Sequence, residues 1–217
     1  DEFGGSCYLA ACEEFVAAQK SRQAATLRSN TQKGETGAAA ARVVENHARA
    51  LDFVLAQANA AGAAALTQAT LCRAHGLLCE GLFEGAGQVR SQRVKVGGQD
   101  ACSPGEVPAR LESFLAAARA LLQGRVPVKL TEGAKVYGVA SAVALGLFFV
   151  HPFRDGNGRL GRLLLNFVLR LHGTPFPVAL CATPQQRALY SAAVRAGLEN
   201  GEATGLADLV AAAAHKA

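Results

Sequence analysis

The sequence contains no tryptophan and no methionine, few aromatic residues, and no block of lysine and arginine. Basic residues are not interleaved with aromatic ones either, so the chain lacks the pattern of a DNA- or RNA-binding surface, and we expect no nucleic-acid partner. The formal net charge is +5, with a pI near 9.0. Such a mild basic excess is compatible with ligands that carry phosphate.

Long hydrophobic runs are also missing from the sequence. Residues 136–150 form a run without charged or amide side chains, which is too short to span a bilayer and is followed at once by HPFRDGNGR. It predicts a buried core helix, and we expect no membrane association within this segment. None of the six cysteines forms a CxxC pair, and no histidine lies at zinc-finger spacing from them. This favours scattered thiols over a metal site or a required disulfide.

Size and composition predict one helical domain. The chain has 217 residues, of which 50% are apolar, enough for one sizeable core. Alanine, the best helix former, is abundant, which predicts an all-α fold. We divide the chain into an N-terminal helical extension, residues 1–28, and one domain, residues 29–217. The chain starts DEFGG and has no methionine, so we expect the native N-terminus and any targeting signal there to be missing; the compartment is left open, with the cytoplasm as default.

Apolar residues at helical spacing, with start and stop signals at the ends, predict a series of helices. Thr67 is a candidate N-cap, and Gly173 with Pro175 beyond it ends another helix. Residues 87–98, GQVRSQRVKVGG, alternate locally between glycines and predict a short β-hairpin or an extended flap. The predicted helices lie at residues 38–62, 66–83, 109–124, 134–150, 159–173, 183–201 and 206–217.

The stretch HPFRDGNGRLGR, residues 151–162, follows the apolar run directly. Gly156 and Gly158 allow backbone N–H groups to turn into one concavity at a helix start, where the helix dipole adds positive potential. Arg159 and Arg162 lie three apart on that helix and share a face, so both can grip one polyphosphate. These features predict an anion-binding site.

Two further side chains of this stretch suit chemistry beside a phosphate. Asp155 is a carboxylate that can hold Mg²⁺ through one oxygen. His151 ends the core helix, with Pro152 fixing the exit of the chain, and a histidine titrates near neutral pH, as a general base requires. Each of these residues alone is commonly structural. Their joint spacing within one turn and one helix start is what indicates a functional site.

The stretch matches the signature HPFxDGNGRxxR of the Fic family (filamentation induced by cAMP) at every fixed position. Outside it, VRSQRVKVGG resembles the flap of that family and VVENHARALDFVL resembles the helix ahead of the flap. RLLLNFVLRLHGTPFPV and QQRALY resemble its downstream helices. The resemblance covers about residues 29–210, on the order of one domain, and implies an all-α, Fic-type helical bundle with a small β-hairpin flap.

The activity that the resemblance implies is AMPylation, the transfer of AMP from ATP to a Ser, Thr or Tyr hydroxyl of a target protein with release of pyrophosphate. His151 would take the proton of the target hydroxyl, and Asp155 would coordinate Mg²⁺ on the α- and β-phosphates. Phe153 would anchor the motif in the core. The triphosphate would be held by the backbone of Gly156, Asn157 and Gly158, by the Asn157 side chain, and by Arg159 and Arg162.

The resemblance also assigns roles to the flap and to one tyrosine. Val94, Lys95, Val96 and Gly97 would line the adenosine side and pair with an extended segment of the target protein by strand addition. Tyr190, within QQRALY, is a candidate adenine contact or, equally, an ordinary packed tyrosine. A homodimer is left open.

Many Fic proteins carry an inhibitory helix whose glutamate pairs with the second motif arginine, here Arg162. The possible remnant of that helix, residues 29–36, fits the pattern of Ser or Thr, three residues, Glu, then Gly or Asn in two registers. In one, the glutamate position is Lys33, a like-charge neighbour that leaves the enzyme unlatched and unable to remove AMP. In the other register the position is Glu35, which restores both the inhibitory latch and the ability to remove AMP. We favour Lys33 because more neighbouring residues agree; a solvated turn without latch function is the third reading.

Other reactions are open within the same fold. Relatives with altered motifs transfer phosphate or phosphocholine, some relatives remove AMP, and the transferred group here could be UMP or GMP. The alternative from another class is a catalytically silent nucleotide-binding interaction module, and the intact His151 speaks against it.

Overall fold

The computed structural model describes residues 37–96, 99–125 and 132–215, and within these ranges the chain forms seven α-helices. Two 3₁₀ turns, Gly62–Ala65 and Pro104–Glu106, precede the second and third helices. The all-α fold expected from the composition is confirmed for these residues. The helices are α1 (Gly37–Ala61), α2 (Gln68–Cys79), α3 (Val107–Leu122), α4 (Glu132–Val150), α5 (Asn157–Leu171), α6 (Pro184–Asn200) and α7 (Thr204–Ala214).

Helix α4 lies at the centre of the bundle, where α3, α5, α6 and α7 all pack against it. Ala140, Ala144 and Leu147 are completely buried, and Val139 and Val143 nearly so. Burial on several sides explains why this helix is apolar around its whole circumference and confirms the predicted core helix. Phe149 is the exception, since it is 63% exposed near the C-terminal end.

Helix α5 contacts both α4 and α1, and its approach to α4 is unusually close. A Cβ atom built at Gly161 would lie 2.1 Å from Cζ of Phe148. Any side chain at position 161 would therefore collide with this ring, so glycine is required for the two helices to pack as they do.

The helix ends follow local signals that the sequence displays. The Thr67 hydroxyl accepts a hydrogen bond from the Thr70 backbone N–H at 3.1 Å and caps α2, as predicted. Gly173 adopts a φ of 88° just beyond α5, also as predicted. Helix α2 ends at Cys79, earlier than the predicted end at residue 83, because the chain turns through Gly81 at a φ of 67°.

The predicted flap is described only in part. β1 (Lys95–Val96) and β2 (Gln99–Asp100) form an antiparallel pair in which Lys95 is opposite Asp100 and Val96 is opposite Gln99. The Ala101 N–H donates to the Val94 carbonyl at 3.0 Å and extends this pairing by one bond. Gly97 and the following residue lie outside the described residues, so the hairpin flap stays a prediction.

Two other predicted features also lie outside the described residues. These are the N-terminal extension, residues 1–28, and the segment 29–36 with both Lys33 and Glu35. In the part of the chain that the structure does describe, no helix is both long enough and apolar enough to traverse a bilayer.

Candidate active site

The loop after α4 begins with an unusual backbone conformation. His151 donates its N–H to the Leu147 carbonyl at 2.8 Å and adopts a φ of 49°. Among the described residues it is the one non-glycine residue with a positive φ, a conformation that costs about 1–2 kcal/mol outside glycine. The next two residues, Pro152 and Phe153, are buried. Phe153 has no exposed surface, as expected for a core anchor.

A histidine on α2, which the sequence analysis did not single out, is hydrogen-bonded to this loop. His75 on α2 is completely buried and accepts a hydrogen bond from the Gly87 N–H at its Nδ1, 2.8 Å away. Since Nδ1 accepts, the ring proton lies on Nε2, which donates to the Asp155 carbonyl at 2.8 Å. His75 therefore joins α2 to the motif loop and to the segment that leads to β1.

The environment of the His151 imidazole favours its neutral form. Burial is the largest cause lowering its pKa, and the positive charge of Arg90 lowers it further. The Phe148 carbonyl and the Asp155 carboxylate raise the pKa, but the net change is downward. Its Nδ1 is buried, so Nε2 is the nitrogen left to meet a substrate. At neutral pH the ring is therefore an unprotonated base, as general-base catalysis requires.

The start of α5 has the geometry of an anion site. Gly156 caps the helix in the left-handed conformation, with a φ of 78°. A Cβ atom there would lie 2.8 Å from the Cys79 sulfur and 3.0 Å from Nε2 of His75, so both conformation and space require glycine. At Gly158, by contrast, a Cβ atom would meet only Arg162, at 3.9 Å. The absence of a side chain at Gly158 thus serves no internal packing and leaves the surface at the helix start clear.

Asp155 lies at the same helix start with an exposed side chain. Its Oδ1 accepts a hydrogen bond from the Gly156 N–H at 2.6 Å, as acidic groups commonly do near a helix N-terminus. Among the described residues no three metal-ligating side chains come together. A single carboxylate of this kind fits a Mg²⁺ ion that keeps several waters and is held mainly by substrate phosphates.

The Asn157 side chain closes the motif loop. It is 1% exposed, its amide donates to the Phe153 carbonyl at 2.7 Å, and its oxygen accepts from the Phe153 N–H at 3.1 Å. The predicted contact of this side chain with phosphate stays a prediction. Its backbone remains at the first turn of α5, so the predicted backbone contact stays a prediction.

The two motif arginines point to different neighbours. Arg159 lies near the end of α2, with Nη1 3.5 Å from the Leu78 carbonyl and Nη2 3.8 Å from the Cys79 sulfur. The Arg162 guanidinium lies 5.9 Å from the centre of the Tyr190 ring. Both positive charges, after burial, lower the pKa of His47 to about 3. Their joint grip on one polyphosphate stays a prediction.

A cavity of about 460 Å³ opens between the motif, the flap and α6. This volume is within the usual range for sites of small molecules and cofactors. Tyr190 forms part of the wall with its side chain buried, and burial raises its pKa; its contact with adenine stays a prediction. The lining residues are Val96, Phe148, His151, Gly158, Arg162, Cys181, Arg187, Tyr190, Ser191, Val194, Arg195, Leu198 and Glu199.

The cavity wall combines an apolar surface with positive charge. Three arginines line it, Arg162, Arg187 and Arg195, against one carboxylate, that of Glu199. Such a cavity suits a ligand with a flat apolar part and a negatively charged part. Of the predicted flap residues, Val96 reaches the wall, whereas Lys95 is exposed.

Comparisons with known proteins agree with this arrangement. Residues 65–169 match the model of the Fic/DOC family. A segment of 46 residues is 50% identical to a Fido domain-containing protein of Dictyostelium discoideum, covering 21% of this chain and 32% of that relative. The match thus spans about a third of the relative's length.

Solved structures show the same fold. A Fic domain containing signaling protein of Bacteroides thetaiotaomicron superposes with a TM-score of 0.68 at 18% identity, over 85% of this chain and 72% of that one. BepC of Bartonella tribocorum, a VirB-translocated effector solved with bound AMPPNP, superposes with a TM-score of 0.52 at 18% identity, over 77% of this chain and 85% of that one. The described part of the chain therefore has the fold of solved Fic domains. Residues 65–169 resemble the Fic/DOC family in sequence as well.

Proposed function

We propose that this domain is a protein adenylyltransferase that transfers AMP from ATP to a Ser, Thr or Tyr hydroxyl of a target protein. The observation that carries the proposal is the shared cavity: the neutral base His151, the cation Arg162 and the helix start at Gly158 all line one space. Members of the Fic family are in general AMPylators or related nucleotidyltransferases. The nucleotide analogue bound to BepC adds support for ATP as the ligand.

In the proposed reaction, Nε2 of His151 accepts the proton of the target hydroxyl. The hydroxyl oxygen then forms a bond to the α-phosphorus of ATP while the bond from that phosphorus to the bridging oxygen breaks, and pyrophosphate leaves. The lowered pKa of His151 keeps the ring unprotonated and ready at neutral pH. Positioning and charge neutralisation supply most of the acceleration in phosphate transfers.

The remaining site residues would bind and orient ATP. Arg162 and the first-turn N–H groups of α5 would hold the phosphates, and the apolar wall with Tyr190 would hold the base. Asp155 is the carboxylate that would hold Mg²⁺, which on binding neutralises phosphate charge. The target segment would lie along Val94, Lys95 and Val96 as an added strand, since one edge of this short pair carries main-chain donors and acceptors.

Incubation with labelled ATP tests the proposal. With ATP labelled at the α-phosphorus and Mg²⁺, we expect label on protein and an added mass of one adenylate; with γ-labelled ATP we expect none. His151→Ala should lower labelling by about 10²- to 10⁴-fold. His172→Ala, at an exposed histidine beyond α5, is the matched control and should label like the wild type.

Each alternative reaction gives a different result in the same experiment. Transfer of the γ-label indicates phosphate transfer, and faster labelling from UTP or GTP indicates another nucleotide. Release of AMP from a modified protein without its addition indicates the reverse activity. Binding of Mg-ATP with no labelling at any position indicates an interaction module and contradicts the proposed enzyme.

A further inference from the structure

Arg90 is a buried arginine that contacts the backbone of the candidate catalytic histidine. It lies between α2 and β1, is 5% exposed, and donates from Nε to the His151 carbonyl at 2.7 Å. Its Nη1 donates to the Gln92 carbonyl at 3.0 Å, and its Nη2 donates to the Cys102 carbonyl at 2.8 Å and lies 3.4 Å from the Cys102 sulfur. Backbone carbonyls thus take up the donors of this guanidinium.

Burying a cation of this kind is energetically unfavourable. Removing a charged group from water costs several kcal/mol unless it is paired, and none of the contacts above is to a carboxylate. An apolar side chain of similar size would pack at lower cost. The position of Arg90 is therefore better explained by what its hydrogen bonds hold than by packing alone.

The group that Arg90 holds is the strained residue at the end of α4. Besides the Nε bond to the His151 carbonyl, the Arg90 backbone N–H donates to the Pro152 carbonyl at 2.9 Å. Two consecutive carbonyls of the loop are thus bound by one residue. Because His151 has a φ of 49°, its conformation needs outside support, and the bonds to the carbonyls of the 151–152 and 152–153 peptides supply it on its C-terminal side.

The same side chain acts on the imidazole electrostatically. After burial, the charge of Arg90 is the next cause that lowers the His151 pKa, and the Asp155 carboxylate opposes it. The other charged groups that line the cavity with this histidine are Arg162, Arg187, Arg195 and Glu199. Arg90 does not itself line the cavity, so it would act on a bound nucleotide through the residues that it holds, His151 among them.

We propose that Arg90 is a positioning residue, which fixes the backbone of His151 and thereby the place from which its imidazole meets the target hydroxyl. This inference rests on the proposed AMP transfer for its kinetic consequences. Its structural content, the hold of Arg90 on His151, stands independently of that activity.

The kinetic test compares Arg90→Gln and Arg90→Lys with Arg93→Gln, an exposed arginine of the same segment. We expect Arg90→Gln to lower kcat for AMP transfer by about 10- to 100-fold, the range that a misplacement of about 1 Å produces. KM for ATP should change little, because the Arg90 side chain is not itself part of the cavity wall. Arg93→Gln should behave like the wild type. A kcat within twofold of wild type for Arg90→Gln would overturn the proposal.

Arg90→Lys distinguishes positioning from folding. Lysine keeps the charge but offers one compact ammonium, which cannot reach three separate carbonyls as the guanidinium does. We expect this variant to fold, with a lower melting temperature than the wild type because some of these carbonyls lose their donor, and to retain a lowered kcat. Should Arg90→Gln fail to fold, Arg90→Lys decides the question, and wild-type activity in that variant would refute the positioning role.

A measurement without turnover separates this inference from the proposed function. The chain has only five histidines, so the His151 ring signal can be assigned by NMR from its loss in His151→Ala. Removal of the Arg90 charge should raise the His151 pKa in Arg90→Gln, whereas Arg93→Gln should leave it in place. A wild type that transfers no AMP would end the proposed function, and a His151 ring signal that keeps both its chemical shift and its titration in Arg90→Gln would end the role given to Arg90.

Discussion

The imidazole of His75 lies parallel to the ring of Phe153, with ring centres 3.9 Å apart and planes 6° apart. The same imidazole bonds the Gly87 N–H and the Asp155 carbonyl. One buried side chain thus fixes three points around the motif loop: the ring that anchors it, the Asp155 carbonyl, and the segment leading to β1. The loop owes its shape to a residue on α2 as well as to its own sequence.

His75→Phe should destabilise the protein although it keeps an aromatic ring at this position of the core. Phenylalanine keeps the stack on Phe153 but leaves the Gly87 N–H and the Asp155 carbonyl without their partner. Each unsatisfied buried group costs about 1–3 kcal/mol, so we expect a loss of about 2–4 kcal/mol in the free energy of unfolding, measured by urea denaturation. Arg73→Ala, at an exposed site of the same helix, is the control and should stay within about 0.5 kcal/mol. Equal stability of His75→Phe and wild type would contradict this role.

The two glycines at the start of α5 should respond differently to alanine. Gly156→Ala forces a Cβ into a left-handed residue and against Cys79 and His75, so we expect a loss of stability of about 1–3 kcal/mol. Gly158→Ala meets no such obstacle and should melt near the wild type. Its methyl group would instead enter the proposed ligand site and weaken ATP binding by roughly tenfold or more. Thermal melting and calorimetric titration with ATP measure the two effects; equal melting of both variants would count against this account.

Stability should fall as the solution becomes acidic, because His47 is buried in its neutral form. Its pKa is lowered from 6.5 to about 3, by burial first and then by Arg162 and Arg159. Between these two values the unfolded chain binds a proton that the folded chain does not, so stability is complete above pH 6.5 and declines as the pH falls toward 3. The slope is about 1.4 kcal/mol per pH unit for one histidine. The lowered pKa values of His75 and His151 act in the same direction.

Urea unfolding at pH 7.5 and pH 5.5 measures this dependence. We expect a loss of about 1 kcal/mol from His47 alone over that interval. His47→Gln, which does not titrate, should lose less stability than the wild type between the same two pH values. Identical pH dependence in the two proteins would show that His47 is not the group responsible.

The two registers of the segment 29–36 predict opposite responses to mutation. With Lys33 at the inhibitory position, Lys33→Glu should create a pair with Arg162 and slow AMP transfer, whereas Glu35→Gln should leave it unchanged. A charge-assisted pair of about 1.5–3 kcal/mol corresponds to roughly a 10- to 100-fold effect. Intact-mass analysis of the two variants after incubation with Mg-ATP makes the comparison. Faster transfer by Glu35→Gln would assign the latch to Glu35 instead.

The sequence predicted the helices and the motif because both depend on local order. Apolar spacing located α4 and α5, and Thr67 and Gly173 marked helix ends through hydrogen bonds and backbone angles set within a few residues. Asn157 shows what local order does not reveal. A polar side chain in a phosphate motif looks like a ligand, and the sequence does not show that the backbone of Phe153 binds both of its polar atoms.

Contacts between residues far apart in the sequence could not be predicted from these local patterns. Arg90 and His151 are 61 positions apart, and His75 and Asp155 are 80 apart. Periodicity tells which face of a helix is buried but not which residue it meets there. A histidine on the buried face of α2 was the available signal for His75, yet such a residue is compatible with many partners until the helices are assembled.

The contact between Gly161 and Phe148 has a consequence for how this domain tolerates change. Phe148 faces the cavity as well as α5, so even one added methyl group at position 161 must displace a ring that forms part of the chamber proposed to bind the nucleotide. Position 161 is a variable position of the motif and does not itself line that chamber. The size of the residue at position 161 nevertheless limits the volume of the chamber, because it determines where the Phe148 ring can lie.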